Sequence, residues 1–188
     1  MEAVAIQKIT VEEFLEMDFD DPNAHLYELI DGEIVKKSAP APRHQEVSLA
    51  IVEALSSHVR QQKLGKVYIP PIDVFLDGFS SVQPDILFIP TDLLHIVTDD
   101  GIEGVPTLMV EIISPTSIYR DRVTKKKLYE QHGVQEYWLV DPQELLIEVC
   151  ALQDGRYELL SAATPFEGVI SSNLLPGLTL DVNALFAL

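Results

Sequence analysis

Val82-Gln83-Pro84-Asp85-Ile86-Leu87-Phe88-Ile89 and Leu108-Met109-Val110-Glu111-Ile112-Ile113 each set one carboxylate in a short apolar, sheet-like run. An ionised carboxylate is costly to bury unless a positive charge accompanies it. Two such acids, with a lysine soon after, point to strand ends where hard oxygen ligands hold a divalent cation, Mg²⁺ or Mn²⁺. On a strand, positions two apart share a face, so Glu111 and Ile113 point the same way. Ile113 is apolar, so a lysine partner for the two acids must come from elsewhere.

The helix expected from about Ile118 to His132 supplies it. At ~100° per residue, Ile118, Leu128 and Tyr129 gather on one side of the wheel, and Lys125 falls near the centre of that arc. Lys126 and Lys127 are rotated toward solvent, and Val123 fits the apolar arc badly. Asp121, four residues before Lys125, shares the inward side and is positioned to orient its ammonium or to complement the helix dipole. An inward lysine needs a counter-charge, which Asp85 and Glu111 can supply. In this arrangement Asp85 and Glu111 are the metal ligands, joined by water and the Ile112 carbonyl. Lys125 steadies the attacking hydroxide or the phosphorane charge. His44, at the start of a long helix, contacts a phosphate, relays a proton or is structural.

Outward from these runs the chain reads as alternating helices and hairpins. Thr10-Val11-Glu12-Glu13 is a capping box opening a helix through about Met17. Asp31-Gly32 joins two strands in a hairpin. Glu28 lies in the first of these, on the face of Leu26 and Ile30, where a surface charge is the ordinary expectation and a buried auxiliary role the sharper one. A helix from about Arg43 to Gln62 buries Val47, Ala50, Ile51, Ala54 and Leu55, with His58 expected as a satisfied core residue. Strands are expected at Val67 to Ile69, Ile72 to Leu76 and Ile86 to Ile89. An irregular crossing from Thr91 to Pro106 leads to the strand Leu108 to Ile113. Beyond Gly133 come strands at Glu136 to Val140, Leu145 to Ala151 and Arg156 to Ser161, and a short helix at Val182 to Phe186. Glu136, Tyr137, Trp138 and Asp141 read as strand and turn structure. The fold class is α/β, a mixed β-sheet flanked by helices.

The chain has 188 residues, 47% of them hydrophobic, which suits one domain over 1–188. The N-terminal helix and hairpin (about 10–37) and the C-terminal strands and helix (about 145–188) read as additions to the core. No apolar run approaches the ~18 residues of a membrane helix, and no secretion signal is read at the N-terminus. The single cysteine, Cys150, excludes an internal disulfide and reads as a buried small hydrophobe, so a cytoplasmic protein is expected. A formal charge of −17 argues against a general nucleic-acid binder, though the cluster Arg120, Arg122, Lys125, Lys126 and Lys127 leaves room for a local basic groove.

The chain resembles the family of restriction endonuclease domains of largely unknown function inside the PD-(D/E)XK nuclease superfamily. The resemblance is carried by Tyr27-Glu28-Leu29-Ile30-Asp31-Gly32-Glu33, His44, Pro84-Asp85 and Val110-Glu111-Ile112-Ile113-Ser114-Pro115. It continues through Asp121, Lys125 and Tyr129, Gly133-Val134-Gln135-Glu136-Tyr137-Trp138-Leu139-Val140-Asp141-Pro142, Leu175-Pro176-Gly177-Leu178 and Leu185-Phe186. It implies a restriction-endonuclease-like core, metal-dependent cleavage of DNA, and a lysine moved from strand to helix; the sequence does not separate this from a nuclease for RNA or a small nucleotide. The acidic balance and Ile113 support a second reading, a catalytically inactive binding or oligomerisation module on the same fold. A homodimer suits either reading.

Overall fold

The computed structural model describes residues 8–187; the first seven residues, part of the stretch read for a secretion signal, and residue 188 lie outside them. Helix α1 is Val11–Leu15, opened by the expected reciprocal cap of Thr10 and Glu13 and ending two residues before Met17. Strands β1 (Tyr27–Ile30) and β2 (Glu33–Lys36) form the Asp31-Gly32 hairpin. Its turn needs two positive φ angles, which Asp31 (51°) and Gly32 (81°) adopt.

Helix α2 runs Pro42–Gln62, with Pro42 in its first turn and Lys63 closing it in the left-handed region. Val47, Ile51, Leu55 and Val59 are its buried stripe, each contributing roughly 1.5–3 kcal/mol of burial. Ala50 and Ala54 are only half-buried at its margin. His58 departs from expectation: it is half-buried, and its enclosed Nε2 has no hydrogen-bond partner among the described residues.

Next come β3 (Gly65–Tyr68), β4 (Val74–Asp77), β5 (Ser80–Val82), β6 (Ile86–Pro90), β7 (Ile102–Glu103) and β8 (Leu108–Ile112). The run from Val82 to Ile89 is therefore not one strand. Pro84, which has no N–H to give a ladder, divides it, and the chain passes there from one sheet to another. A π-helical segment, Arg120–Lys125, leads directly into α3 (Lys126–His132), closed by Gly133 at φ 80°. Strands β9 (Glu136–Asp141), β10 (Leu146–Gln153) and β11 (Arg156–Ala163) and helix α4 (Val182–Phe186) complete the described chain.

The strands form two mixed sheets. One, flanked by helices, runs β11-β10-β9-β8-β6-β3; the other runs β2-β1-β5-β4-β7. Strand β8 lies inside the larger sheet, antiparallel to β6 and parallel to β9. Its period of two separates two cores. Leu108, Val110 and Ile112 face α2 with Phe88, Trp138 and Val140. Met109 and Ile113 face Leu128 and Tyr129 of α3 and Ile30, Val74 and Val82 of the smaller sheet. Glu111 shares the second face, between the two sheets. Cys150 is buried there as well. Among the described residues no helix is long and apolar enough to cross a membrane.

Candidate active site

The β6–β8 register pairs Ile86 with Val110; continued by one residue, it sets Asp85 opposite Glu111. Asp85 Oδ2 accepts from the Ile112 N–H at 2.8 Å and lies 3.2 Å from His44 Nε2. The turn of helix that carries His44 begins at Pro42, which fixes the approach of the imidazole to the strand end. Burial opposes ionisation of Asp85, but the hydrogen bond and charge of His44 outweigh it and hold the carboxyl below its ordinary value. Burial works against the charge of His44 too, and Asp85 overcomes it, so the imidazole titrates higher than usual.

Lys125 is buried, as the wheel predicts, at 1% exposure. Its Nζ donates to Glu111 Oε1 at 2.8 Å and to Glu28 Oε1 at 2.9 Å. Its partners are thus Glu111 and Glu28, rather than the expected pair Glu111 and Asp85. Tyr129, one α-turn further on, donates its hydroxyl to the same Glu111 Oε1 at 2.7 Å. The surface expectation for Glu28 is overturned. Its side chain is fully buried, because the smaller sheet packs over the larger one, and it also accepts the Gln83 N–H at 2.7 Å. Lys37, unassigned by sequence, stands 3.7 Å from it.

The π-helical turn adjusts the wheel. Its extra residue per hydrogen-bonded ring rotates the preceding turn against α3. Asp121 and Lys125 both end up inside, whereas Ile118, placed on the apolar arc at 100° per residue, is turned outward at 46% exposure. Asp121 makes no described hydrogen bond to Lys125. Its buried Oδ1 has no hydrogen-bond partner among the described residues, and it pairs with the Arg120 guanidinium at 3.6 Å. The basic cluster also separates: Arg120 enters the site, Arg122 pairs with Asp141 and Glu148, and Lys127 is exposed.

Glu28, Asp85, Glu111 and Asp121 therefore surround one fully buried ammonium. Burial first, with Asp85, Asp121 and Glu28 adding repulsion against the pull of Lys125, pushes the Glu111 carboxyl up to about 8. Burial disfavours the Lys125 charge, but the carboxylates of Glu111, Glu28 and Asp121 more than offset it and raise the ammonium above its usual value. Burial also raises Asp121. Glu28 is lowered, since Lys125 and Lys37 outweigh its burial. Glu111 Oε1 accepts two hydrogen bonds, from Lys125 and Tyr129, and none is described to Oε2.

These groups open onto a cavity of about 360 Å³ lined among others by Lys37, His44, Asp85, Glu111, Arg120 and Lys125. Arg120 comes from the basic cluster, whereas Lys37 carries no motif. The only sequence signal for Lys37 is the hairpin register, which takes it past Leu26 to the mouth of the site. Among the described residues there is no group of three or more His, Cys, Asp or Glu arranged to hold a metal.

Residues 11–183 match the Uma2 family, described as "Putative restriction endonuclease". The chain belongs to this family. No curated protein matches it. Among solved structures, the chain is similar to a "putative nuclease belonging to DUF820" from Anabaena variabilis ATCC 29413. The two are 24% identical at a TM-score of 0.76, over 95% of this chain and 98% of that one. That likeness agrees with the Uma2 assignment at the level of fold. The type IIG restriction endonuclease BpuSI is 14% identical at a TM-score of 0.41, over 81% of this chain and 17% of its own.

Proposed function

We propose that this Uma2 protein is a metal-dependent endonuclease that hydrolyses phosphodiester bonds in DNA. The observation that carries the proposal is that Asp85, Glu111 and Lys125 line one cavity, with the lysine held on Glu111 by a 2.8 Å hydrogen bond.

The donor set suits a hard divalent cation, Mg²⁺ or Mn²⁺. No described hydrogen bond reaches Asp85 Oδ1 or Glu111 Oε2, and Asp121 Oδ1 is a further enclosed oxygen without a partner. Asp85 and Glu111 would hold the ion, with water and the Ile112 carbonyl beside them; Mg²⁺ is commonly bound through one or two carboxylates. When bound, such an ion lowers the pKa of a coordinated water and polarises a phosphodiester oxygen.

The chain's own residues do the rest. Glu28 and Tyr129 fix the Lys125–Glu111 pair, so the ammonium and the carboxylate cannot separate or swing away. Two of the three Lys125 donors are engaged, which leaves one for an oxygen of the phosphate or the attacking hydroxide. His44, steered by Asp85 and titrating above its ordinary value, can donate to a phosphate oxygen or return a proton to the leaving group. Arg120, beside Asp121, and Lys37, beside Glu28, bring positive charge to the cavity wall. Asp121 acts through its charge on Lys125 rather than by contact. The proposal includes a cytoplasmic setting and, wherever both strands of a duplex are cut, a homodimer.

Plasmid incubated with Mg²⁺ or Mn²⁺ tests the reading. Nicking by the native protein that disappears in Asp85→Ala and Glu111→Ala supports it; equal nicking in all three sinks it. One observation favours the second reading, a nuclease-fold module without catalysis: the described residues hold no cluster of three metal-binding side chains. Calorimetry decides between the two, since uptake of Mn²⁺ that Glu111→Ala abolishes is incompatible with an inert module.

A further inference from the structure

A second chamber, of about 400 Å³, adjoins the first and shares Pro40, His44, Pro70 and Asp85 with it. Its other walls are Leu49 and Val52 of α2, Ile69 beyond β3, and Gln45 and Ser48. Leu49 and Ile69 are 59% and 52% exposed, two apolar side chains standing beside a charged site. Each chamber falls within the ~300–1,000 Å³ of small-ligand pockets. Together they form a two-part recess, charged at one end and apolar at the other, with His44 and Asp85 at the junction.

That shape bears on what can reach the carboxylates. Glu111 and Lys125 are 4% and 1% exposed, at the bottom of the recess. A phosphate on the flank of a stacked duplex cannot descend there without its nucleotide leaving the stack. A net charge of −17 also repels a long polyanion, and the cations available for a basic track are dispersed among ion pairs and solvent. An unpaired nucleotide is free of the first obstacle: its phosphate can reach Lys37, Arg120 and His44, and its base has the apolar chamber to fill. Enzymes that do chemistry on a base take the nucleotide out of the stack, at least cost where it is already unpaired, and the same cost favours an unpaired nucleotide here.

Resting on the nuclease reading, we infer that the substrate is DNA with an unpaired nucleotide, single-stranded, gapped or mismatched, whose base is received by the Leu49–Ile69 chamber. Van der Waals contact with a base face is sequence-tolerant, so no base preference is expected.

The test uses fluorescein-labelled oligonucleotides of one sequence as single strand, one-nucleotide-gapped duplex and perfect duplex, with binding read by anisotropy in Ca²⁺ and cleavage in Mn²⁺. Single-stranded and gapped probes are expected to bind about tenfold or more tighter than the perfect duplex. Leu49→Asp and Ile69→Asp, at exposed positions, are expected to bring that ratio close to one while Mn²⁺ uptake and the melting temperature stay unchanged. Equal or tighter binding of the perfect duplex overturns the inference, as does a ratio that survives both substitutions. Absent Mn²⁺ uptake and absent cleavage overturn the nuclease reading instead, and the binding ratio still decides whether the chamber takes an unpaired base.

Discussion

Replacing Glu111 by Gln should make the metal-free protein more stable, by an amount that grows with pH. In the folded chain the Glu111 carboxyl keeps its proton up to about 8, against an ordinary value of 4.5. Between those values the folded state binds the extra proton and the unfolded state does not, so native stability falls as pH rises. The penalty is absent below about 4.5 and complete above about 8. Each unit is worth ~1.4 kcal/mol, which gives a ceiling on the order of 5 kcal/mol across the window. Gln imitates the protonated acid: its Oε1 still accepts from Lys125 and Tyr129, and its amide faces the cavity where the proton stood. Urea unfolding in EDTA at one-unit steps from pH 5 to pH 9 measures the difference between the two proteins. It should be small at pH 5, climb through pH 7 and level off above pH 8. Parallel curves, with a difference independent of pH, would refute the claim that Glu111 is held protonated by its burial among carboxylates.

Lys125→Met should cost about 3–5 kcal/mol by urea unfolding, because it leaves Glu28 and Glu111 buried without their shared cation; a loss below about 1 kcal/mol would contradict the buried-pair geometry. His44→Ala should destabilise more at pH 6 than at pH 9. The raised imidazole stabilises the fold fully below its unfolded value and loses that contribution as pH climbs through its folded value; a pH-independent effect in thermal melts argues against the Asp85 contact. Glu136→Ala should free the segment after β11. The buried carboxylate accepts from Trp138 Nε1, Ser172 Oγ and the Asn173 and Leu174 N–H groups, and losing it should speed limited proteolysis there severalfold.

Where the physics is local, the sequence can be read directly. The Thr10 cap, the Asp31-Gly32 hairpin, the stripe of α2 and the stop at Gly133 depend on neighbours within a few residues. Lys125 is legible because it stands four residues from Tyr129 on an apolar arc. Contacts between distant segments are not. Nothing in Tyr27-Glu28-Leu29 says that a second sheet will cover it, so Glu28 passes for a surface charge until Lys125 is found on it. Strand β5 escapes notice although Asp77-Gly78 repeats the turn signal of the first hairpin, because Ser80-Ser81-Val82 is too short and too polar to show an alternating apolar pattern. The π-helical turn misleads the wheel at Ile118, since an average period cannot express one inserted residue. Lys37 gives no pattern, as a lone cation joins a site only through the fold, and the basic cluster does not say that Arg120 is the member to enter beside Lys125. Glu136, which reads as strand structure, proves to be the anchor of the C-terminal segment.

Two carboxylates from neighbouring strands, with a lysine from the adjoining helix, should form a seat for a divalent cation, and every functional conclusion above depends on that seat. Anomalous diffraction from crystals soaked in millimolar MnCl₂ above pH 8, where Glu111 gives up its proton, tests this most directly. The predicted result is a manganese peak coordinated by Asp85 and Glu111, with Lys125 still bonded to Glu28. Manganese elsewhere in the crystal but none between these two side chains would contradict it.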